Sequence, residues 1–153
     1  MPEGANVTTE LREEHGEIER LVQRIASLGD CPARTVLVHE AQERFLAHIR
    51  AEQRCLYPVV ERRLPEGAGE VAAEQREVNA LREVVAGMGR GGTDEDSEAL
   101  LGRFVLGVQR HIERQDGVIL PQLLDVCTLD EINRAGREMR YALADERDTV
   151  GLS

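Results

Sequence analysis

Apolar residues recur along this chain at intervals of three and four, the signature of helices with one buried face. Over residues 9–27 the run Leu11, His15, Ile18, Val22 and Ile25 shares one side, so a histidine sits on an inward stripe. After a break at Gly29, Asp30 and Pro32, a second run covers about residues 33–63. Val38, Phe45, Ile49, Glu52, Leu56 and Val59 lie near one stripe there, and Pro58 is expected to kink or shorten the last turns. The turn LPEGAG leads to a third helix over about residues 70–88, whose stripe Val71, Glu74, Val78, Leu81, Val85 is interrupted by a glutamate. The segment GMGRGGTDEDSE reads as a loop whose acids Asp94, Glu95 and Asp96 suit a helix start. It lacks the alternating ligands and central glycine of a calcium-binding EF-hand. A fourth helix then runs to about residue 125 through Leu101, Phe104, Val108, His111, Ile112, Ile119 and Leu123. Thr128 and Glu131 have capping-box spacing and open a shorter fifth helix to about residue 145, beyond which the tail DTVGLS is expected to fray. Four long amphipathic helices with short connections predict an all-α, up-down-up-down four-helix bundle with a short C-terminal fifth helix.

Composition narrows the class. With 153 residues, 41% of them apolar, one domain spanning residues 1–153 is expected, its bundle over about 8–126 and its last helix over about 128–145. Aromatics are only 3% and Trp is absent, so Leu, Val, Ile and Ala must build the core, which favours helices over a sheet. The opening MPEGANVTTE has no basic segment followed by an apolar run, and no apolar stretch approaches the roughly 20 residues of a membrane span. A cytoplasmic protein with no membrane partner is expected. Cys31, Cys55 and Cys127 are an odd number without CxxC spacing and read as reduced thiols. A formal charge of -10 repels a phosphate backbone, so nucleic acid is not an expected partner.

Chemistry enters with a repeat. HIRAEQRCLYP, from His48 to Pro58, is echoed by HIERQDGVILP, from His111 to Pro121. In the first the acid is at the fourth position after the histidine, Glu52, followed by Gln53. In the second the order is reversed, Gln115 then Asp116. On an ideal helix a residue four positions on lies about 40° round and one five positions on about 140° round, so helical geometry alone prefers Gln115 over Asp116. His39, nine residues before His48, projects to the opposite side and reads as a surface histidine. Cys55 reads as a small core filler more readily than as a residue of the same cavity. Tyr57 and Tyr141 are possible hydrogen-bond donors to a bound oxygen species, and nothing in the sequence selects either.

These segments resemble the hemerythrin-like family, proteins with an HHE cation-binding domain, over roughly residues 8–126. LREEHGEIERL is similar to the family's opening histidine segment. HIRAEQRCLYP is similar to its second-helix motif, a histidine with a bridging glutamate four residues on and then an aromatic-proline pair. HIERQDGVILP is similar to its fourth-helix motif, where a bridging aspartate comes five residues after the histidine. The resemblance implies a single hemerythrin-like domain with His15 and His48 as terminal ligands to one iron, His111 serving a second, and Glu52 and Asp116 bridging them. The third helix departs from the pattern: AEQREVNAL places Glu74-Gln75 where the family has a Glu-His step, and Asn79 where a second histidine often comes one turn later. An amide oxygen is a poor iron ligand beside imidazole, and Glu74 is the residue whose carboxylate could substitute.

Three outcomes follow: two unequal irons, oxo- or carboxylate-bridged; one iron on His15, His48 and Glu52, a 2-His-1-carboxylate set; or none, the polar groups pairing with each other and with water. The leading functional expectation is a non-heme iron protein binding or reducing O2, NO or peroxide. A second is a mononuclear or diiron oxygenase acting on a small organic substrate, with Gly107 giving space, Gln75 and Asn79 giving hydrogen bonds and Arg82 as a candidate anchor. A third is a metal-free interaction module. Pattern alone does not choose between sensor and enzyme, nor does it give the oligomeric state.

Overall fold

The computed structural model describes residues 6–89 and 94–151. Among these every regular element is helical: α1 (Val7–Ser27), α2 (Pro32–Cys55), α3 (Tyr57–Arg63), α4 (Gly67–Gly89), α5 (Asp94–Arg114), a π-helical segment (Gln115–Ile119), α6 (Leu120–Val126) and α7 (Leu129–Thr149). They form a helical bundle in which α1 packs on α2, α5 and α7, α4 packs on α5 and α3, and α2 packs on α7.

The ends follow local chemistry. Asn6 caps α1 by accepting the Thr8 N–H, two residues earlier than the apolar run suggests. α4 likewise begins within the expected LPEGAG turn, at Gly67. Thr128 and Glu131 form the expected capping box, and α7 outruns its expected end to reach Thr149. The expected loop is shorter than its composition suggests: Gly87, Met88 and Gly89 belong to α4 and Asp94 opens α5, while residues 90–93 lie outside the described residues. Of the tail, Asp148 and Thr149 are helical, and residues 152–153 lie outside the described residues.

Both prolines of the repeat reset the helix that carries them. Pro58 has no N–H to return to Arg54, so α2 stops at Cys55 and helical bonding resumes as α3, with the Val59 and Val60 N–H groups on the Leu56 carbonyl. The expected single run over residues 33–63 is therefore two helices. The expected fourth helix is divided too. Beyond Arg114 the chain widens to π-helical bonding, the Leu120 N–H reaching the Gln115 carbonyl, and α6 restarts with Pro121 in its first turn.

The apolar interior is split in two. One cluster, at the end of the bundle where α7 packs, contains Val7, Leu11, Leu56, Tyr57, Ile119, Leu120, Leu123, Met139 and Leu143. The other contains Ile18, Val22, Ile25, Phe45, Ile49, Val78, Phe104, Val108 and Ile112. On α1 the boundary falls between Leu11 and Ile18, and on the fourth run between Ile112 and Ile119. His15, His48, Glu52, Glu74, His111 and Gln115, all at most 1% exposed, occupy the layer between. α7 closes one side of this arrangement with ion pairs to α1 and α2, among them Arg50–Glu146 at 2.8 Å, Arg54–Asp145 at 2.9 Å, and Arg147 with Glu14.

Candidate metal centre

Each polar residue of the layer sits at a position its helix would otherwise give to an aliphatic side chain. His15 lies one turn from Leu11 and from Ile18, and Glu74 stands between Val71 and Val78 on α4. His48 and Glu52 are one turn apart on α2 and so share a face. His111 lies between Val108 and the π-helical segment. The three imidazoles crowd together, with ring centroids 5.0 Å apart for His15 and His48, 6.0 Å for His48 and His111, and 6.3 Å for His15 and His111. Phe45 covers one side, 5.5 Å edge-on from His111 and stacked near His48.

Glu52 is the centre of the arrangement. Its Oε1 contacts His48 Nε2, lies 3.2 Å from His111 Nε2 and 3.9 Å from His15 Nε2. Its Oε2 accepts a 2.6 Å hydrogen bond from Gln115 Nε2. The outward nitrogens face other acids: His15 Nδ1 is 2.8 Å from Asp116 Oδ1, and His111 Nδ1 is 3.2 Å from Glu74 Oε2. Glu74 also receives the Tyr57 hydroxyl at 3.5 Å and lies 3.4 Å from Arg114 Nε.

Of the five residues singled out in the sequence, the bundle brings four, His15, His48, Glu52 and His111, so close that one nitrogen or oxygen from each lies within 4.8 Å of the others. Asp116 stands beside them on His15 and is a third exposed, its side chain at 34%. Both Gln115 and Asp116 reach the site, which an α-helix does not allow; the π-helical widening beginning at Gln115 is what lets consecutive residues do so. Gln75 is half-buried and accepts from Gln53 Nε2 at 3.1 Å. Asn79, Arg82 and His39 are exposed, and so is Tyr141, which leaves Tyr57 as the tyrosine at the site. Cys55 is half-buried against the α7-side cluster. Gly107 packs on Leu81, whose Cδ2 would stand 2.3 Å from an added methyl group, and it lines a cavity of about 260 Å³ whose walls include Leu81, Arg103 and Arg110 and no residue of the buried polar layer. Sequence reasoning missed Arg114 and the role of Gln115, whose only signals are their places three and four residues after His111.

Electrostatics follow from burial opposed by neighbours. Burial would lower the His111 pKa, but Glu52 and Glu74 outweigh it and raise it from 6.5 to about 10. His15 also moves up, burial being outweighed by Asp116 and Glu52. His48 moves down because burial prevails over Glu52. Burial would raise Glu52, yet His48 and His111 hold it well below the usual carboxylate range. Burial, together with Glu52 and Glu74, pushes the Tyr57 phenol far up.

A raised folded-state pKa contributes stability that is complete below pH 6.5 and disappears as pH climbs through about 10. Glu52 has the opposite sense, its contribution disappearing as pH falls below its usual 4.5. Melts of the metal-free protein, recorded in chelator, are expected to show falling midpoints from about pH 6.5 to 10. Glu52→Gln, which removes one of the two carboxylates holding the His111 proton, should flatten that slope; an unchanged slope would count against the assignment.

The donor set fits a metal ion. His15 Nε2, His48 Nδ1 and His111 Nδ1 are buried without a hydrogen-bond partner among the described residues, and His48 Nε2 meets Glu52 Oε1 as an ion-pair contact only. A buried imidazole nitrogen left without a partner costs about 1–3 kcal/mol, and a cation meeting its lone pair removes that cost. Three imidazoles and a carboxylate suit a first-row transition metal better than calcium or magnesium, which take oxygen ligands. No helix among the described residues is long and apolar enough to cross a membrane.

Of three comparisons with known proteins, one returns a match. A search of curated proteins and a search of solved structures each return no significant match. A family model for the hemerythrin HHE cation-binding domain, however, matches residues 3–123, which includes every residue of the buried polar layer. With most of its length matched and the histidines and glutamate of that match gathered at one interior point, the chain belongs to the hemerythrin HHE cation-binding domain family.

Proposed function

We propose that this chain is a non-heme iron protein that binds or reduces a small ligand, O2, NO or peroxide, inside its helical bundle. The observation supporting this is the convergence of three buried imidazoles on Glu52 Oε1, with His15 Nε2 and His48 Nε2 unpartnered by hydrogen bonds. Reduced iron in such a donor set offers open coordination positions to a diatomic or peroxide. The chain's own residues prepare the place. Glu52 supplies the negative charge, Phe45 keeps water from one side, and Tyr57 retains its proton, so its hydroxyl is a donor at the layer's edge.

In this reading the four long runs alternate up, down, up and down, consistent with α1 packing on α2 and α4 on α5 across short connections. The protein is cytoplasmic and works on small molecules rather than nucleic acid, in keeping with its net charge of -10. Oxidoreductase chemistry, where it occurs, is centred on this layer.

Protein expressed with iron is expected to retain it through purification and to absorb in the near ultraviolet. Chelation should lower the thermal midpoint by about 5–10 °C, since a ligand at roughly 100 times its Kd stabilises by about 2.7 kcal/mol and a domain of this size shifts about 2–4 °C per kcal/mol. Colourless, iron-free protein whose melting is indifferent to chelator and to added iron would favour the metal-free interaction module instead.

A further inference from the structure

We infer that the centre holds one metal ion rather than two, ligated by His15, His48, His111 and Glu52, with Asp116 and Glu74 acting as positioning carboxylates behind His15 and His111. This rests on the metal-binding reading above and decides what that reading leaves open.

A carboxylate that bridges two metals through both oxygens turns one oxygen to each, and the two oxygens of Glu52 face different partners: Oε1 faces the imidazoles, while Oε2 accepts from Gln115 Nε2 at 2.6 Å. The amide orientation is fixed by chemistry, since an ionised carboxylate only accepts and the –NH2 end must therefore face it. Gln115 thus places a donor where a second cation would have to sit. Asp116 is committed in the same manner, its Oδ1 being 2.8 Å from His15 Nδ1. Each potential bridge thus already has one oxygen on a protein donor.

Glu74 stands on α4 beside Gln75, and its surroundings are those of an acid already facing positive and donor groups. Tyr57 OH and His111 Nδ1 approach Oε2 at 3.5 and 3.2 Å, and Arg114 Nε approaches Oε1 at 3.4 Å. A guanidinium beside its free oxygen disfavours a second divalent cation there by direct repulsion. The remaining arrangement is a familiar one in metal chemistry: a ligating imidazole gives its other N–H to a carboxylate, which fixes the tautomer and ring orientation. Asp116 does this for His15 through the 2.8 Å hydrogen bond, while Glu74 Oε2 faces His111 Nδ1 at 3.2 Å as an ion-pair partner, and both Nε2 atoms are turned toward Glu52 Oε1. The ligand atoms of the four residues lie within 4.8 Å of one another, close to the span of two bonds of roughly 2.1 Å around one ion.

The test is anaerobic titration of the full metal-free chain with ferrous ion, elemental analysis after gel filtration, and EPR of the ferric form. The expected result is one iron per chain and a high-spin ferric signal that integrates to one spin per chain. Two irons per chain with an EPR-silent coupled pair would overturn the inference and leave the iron reading standing. No bound iron would overturn both. Asp116→Asn, at a partly exposed position, should keep a stoichiometry of one with affinity lower by about 10–100-fold and an altered EPR line shape, because it reorients His15 without removing a ligand. Were Asp116 a bridge, the same variant would lower the stoichiometry from two. Glu74→Gln should behave as Asp116→Asn does, and wild-type affinity and line shape in both variants would overturn the positioning roles.

Discussion

Glu52→Gln is expected to abolish iron retention and, independently, to destabilise the metal-free protein by about 3–5 kcal/mol, the cost of stripping one partner from a buried charge pair. The substitution preserves shape, so packing cannot account for the loss. Two things change. Glu52 Oε1 is the atom on which His15, His48 and His111 converge, and an amide there supplies neither the charge nor the ligand strength of a carboxylate. In addition the new amide cannot satisfy both sides: turning its oxygen to Gln115 Nε2 leaves –NH2 among the imidazoles, and turning it round sets –NH2 against –NH2. His39→Ala is the control, since His39 is exposed on the same helix and a surface change of that kind stays within about 0.5 kcal/mol. Elemental analysis and urea unfolding of both variants check the expectation. A Glu52→Gln protein that keeps its iron, or unfolds at the wild-type midpoint in chelator, would show that the carboxylate does not organise the layer.

What could be read from the chain and what could not divides along a physical line. Periodicity reports which face of a helix is buried, so His15, Glu74 and His111 were legible as inward polar residues, and His48 and Glu52 as a pair one turn apart. It does not report how high one helix stands against another. That Glu74 reaches His111, that Tyr57 reaches Glu74, and that Gln115 reaches Glu52 depend on this axial register, set by packing of the two apolar clusters above and below.

The pair Gln115 and Asp116 shows a second kind of limit. An ideal α-helix sends only the first inward, while the resemblance to a family motif selects the second. The π-helical segment resolves the conflict by bringing both to the layer with different partners, Glu52 and His15. Pro58 is legible in the sequence as a break, and α2 stops at Cys55; on the fourth run the α-helical bonding ends at Arg114, and Pro121 falls in the first turn of the restarted α6.

Gly67→Ala is expected to cost about 3 kcal/mol or more, a large effect for one methyl group placed outside the main core, because what it meets cannot move. A Cβ at Gly67 would stand 2.3 Å from the Val60 carbonyl oxygen and 2.6 Å from that of Glu61, both backbone atoms of α3. A side chain in the way could change rotamer; a helical carbonyl can retreat only if α3 moves with it. The consequence reaches the metal centre. α3 carries Tyr57 and α4 carries Glu74, so a wedge at their junction separates the hydroxyl from the carboxylate it meets at 3.5 Å. Gly69→Ala isolates the steric cause, since nothing lies within 4 Å of a Cβ there. That variant should be neutral or more stable by about 0.5–1 kcal/mol through helix propensity alone. Thermal and urea unfolding of the two alanine variants, each with and without iron, separate the terms. If Gly67→Ala melts with the wild type, then α3 and α4 are not in backbone contact, and the coupling of Tyr57 to Glu74 across that junction fails with it.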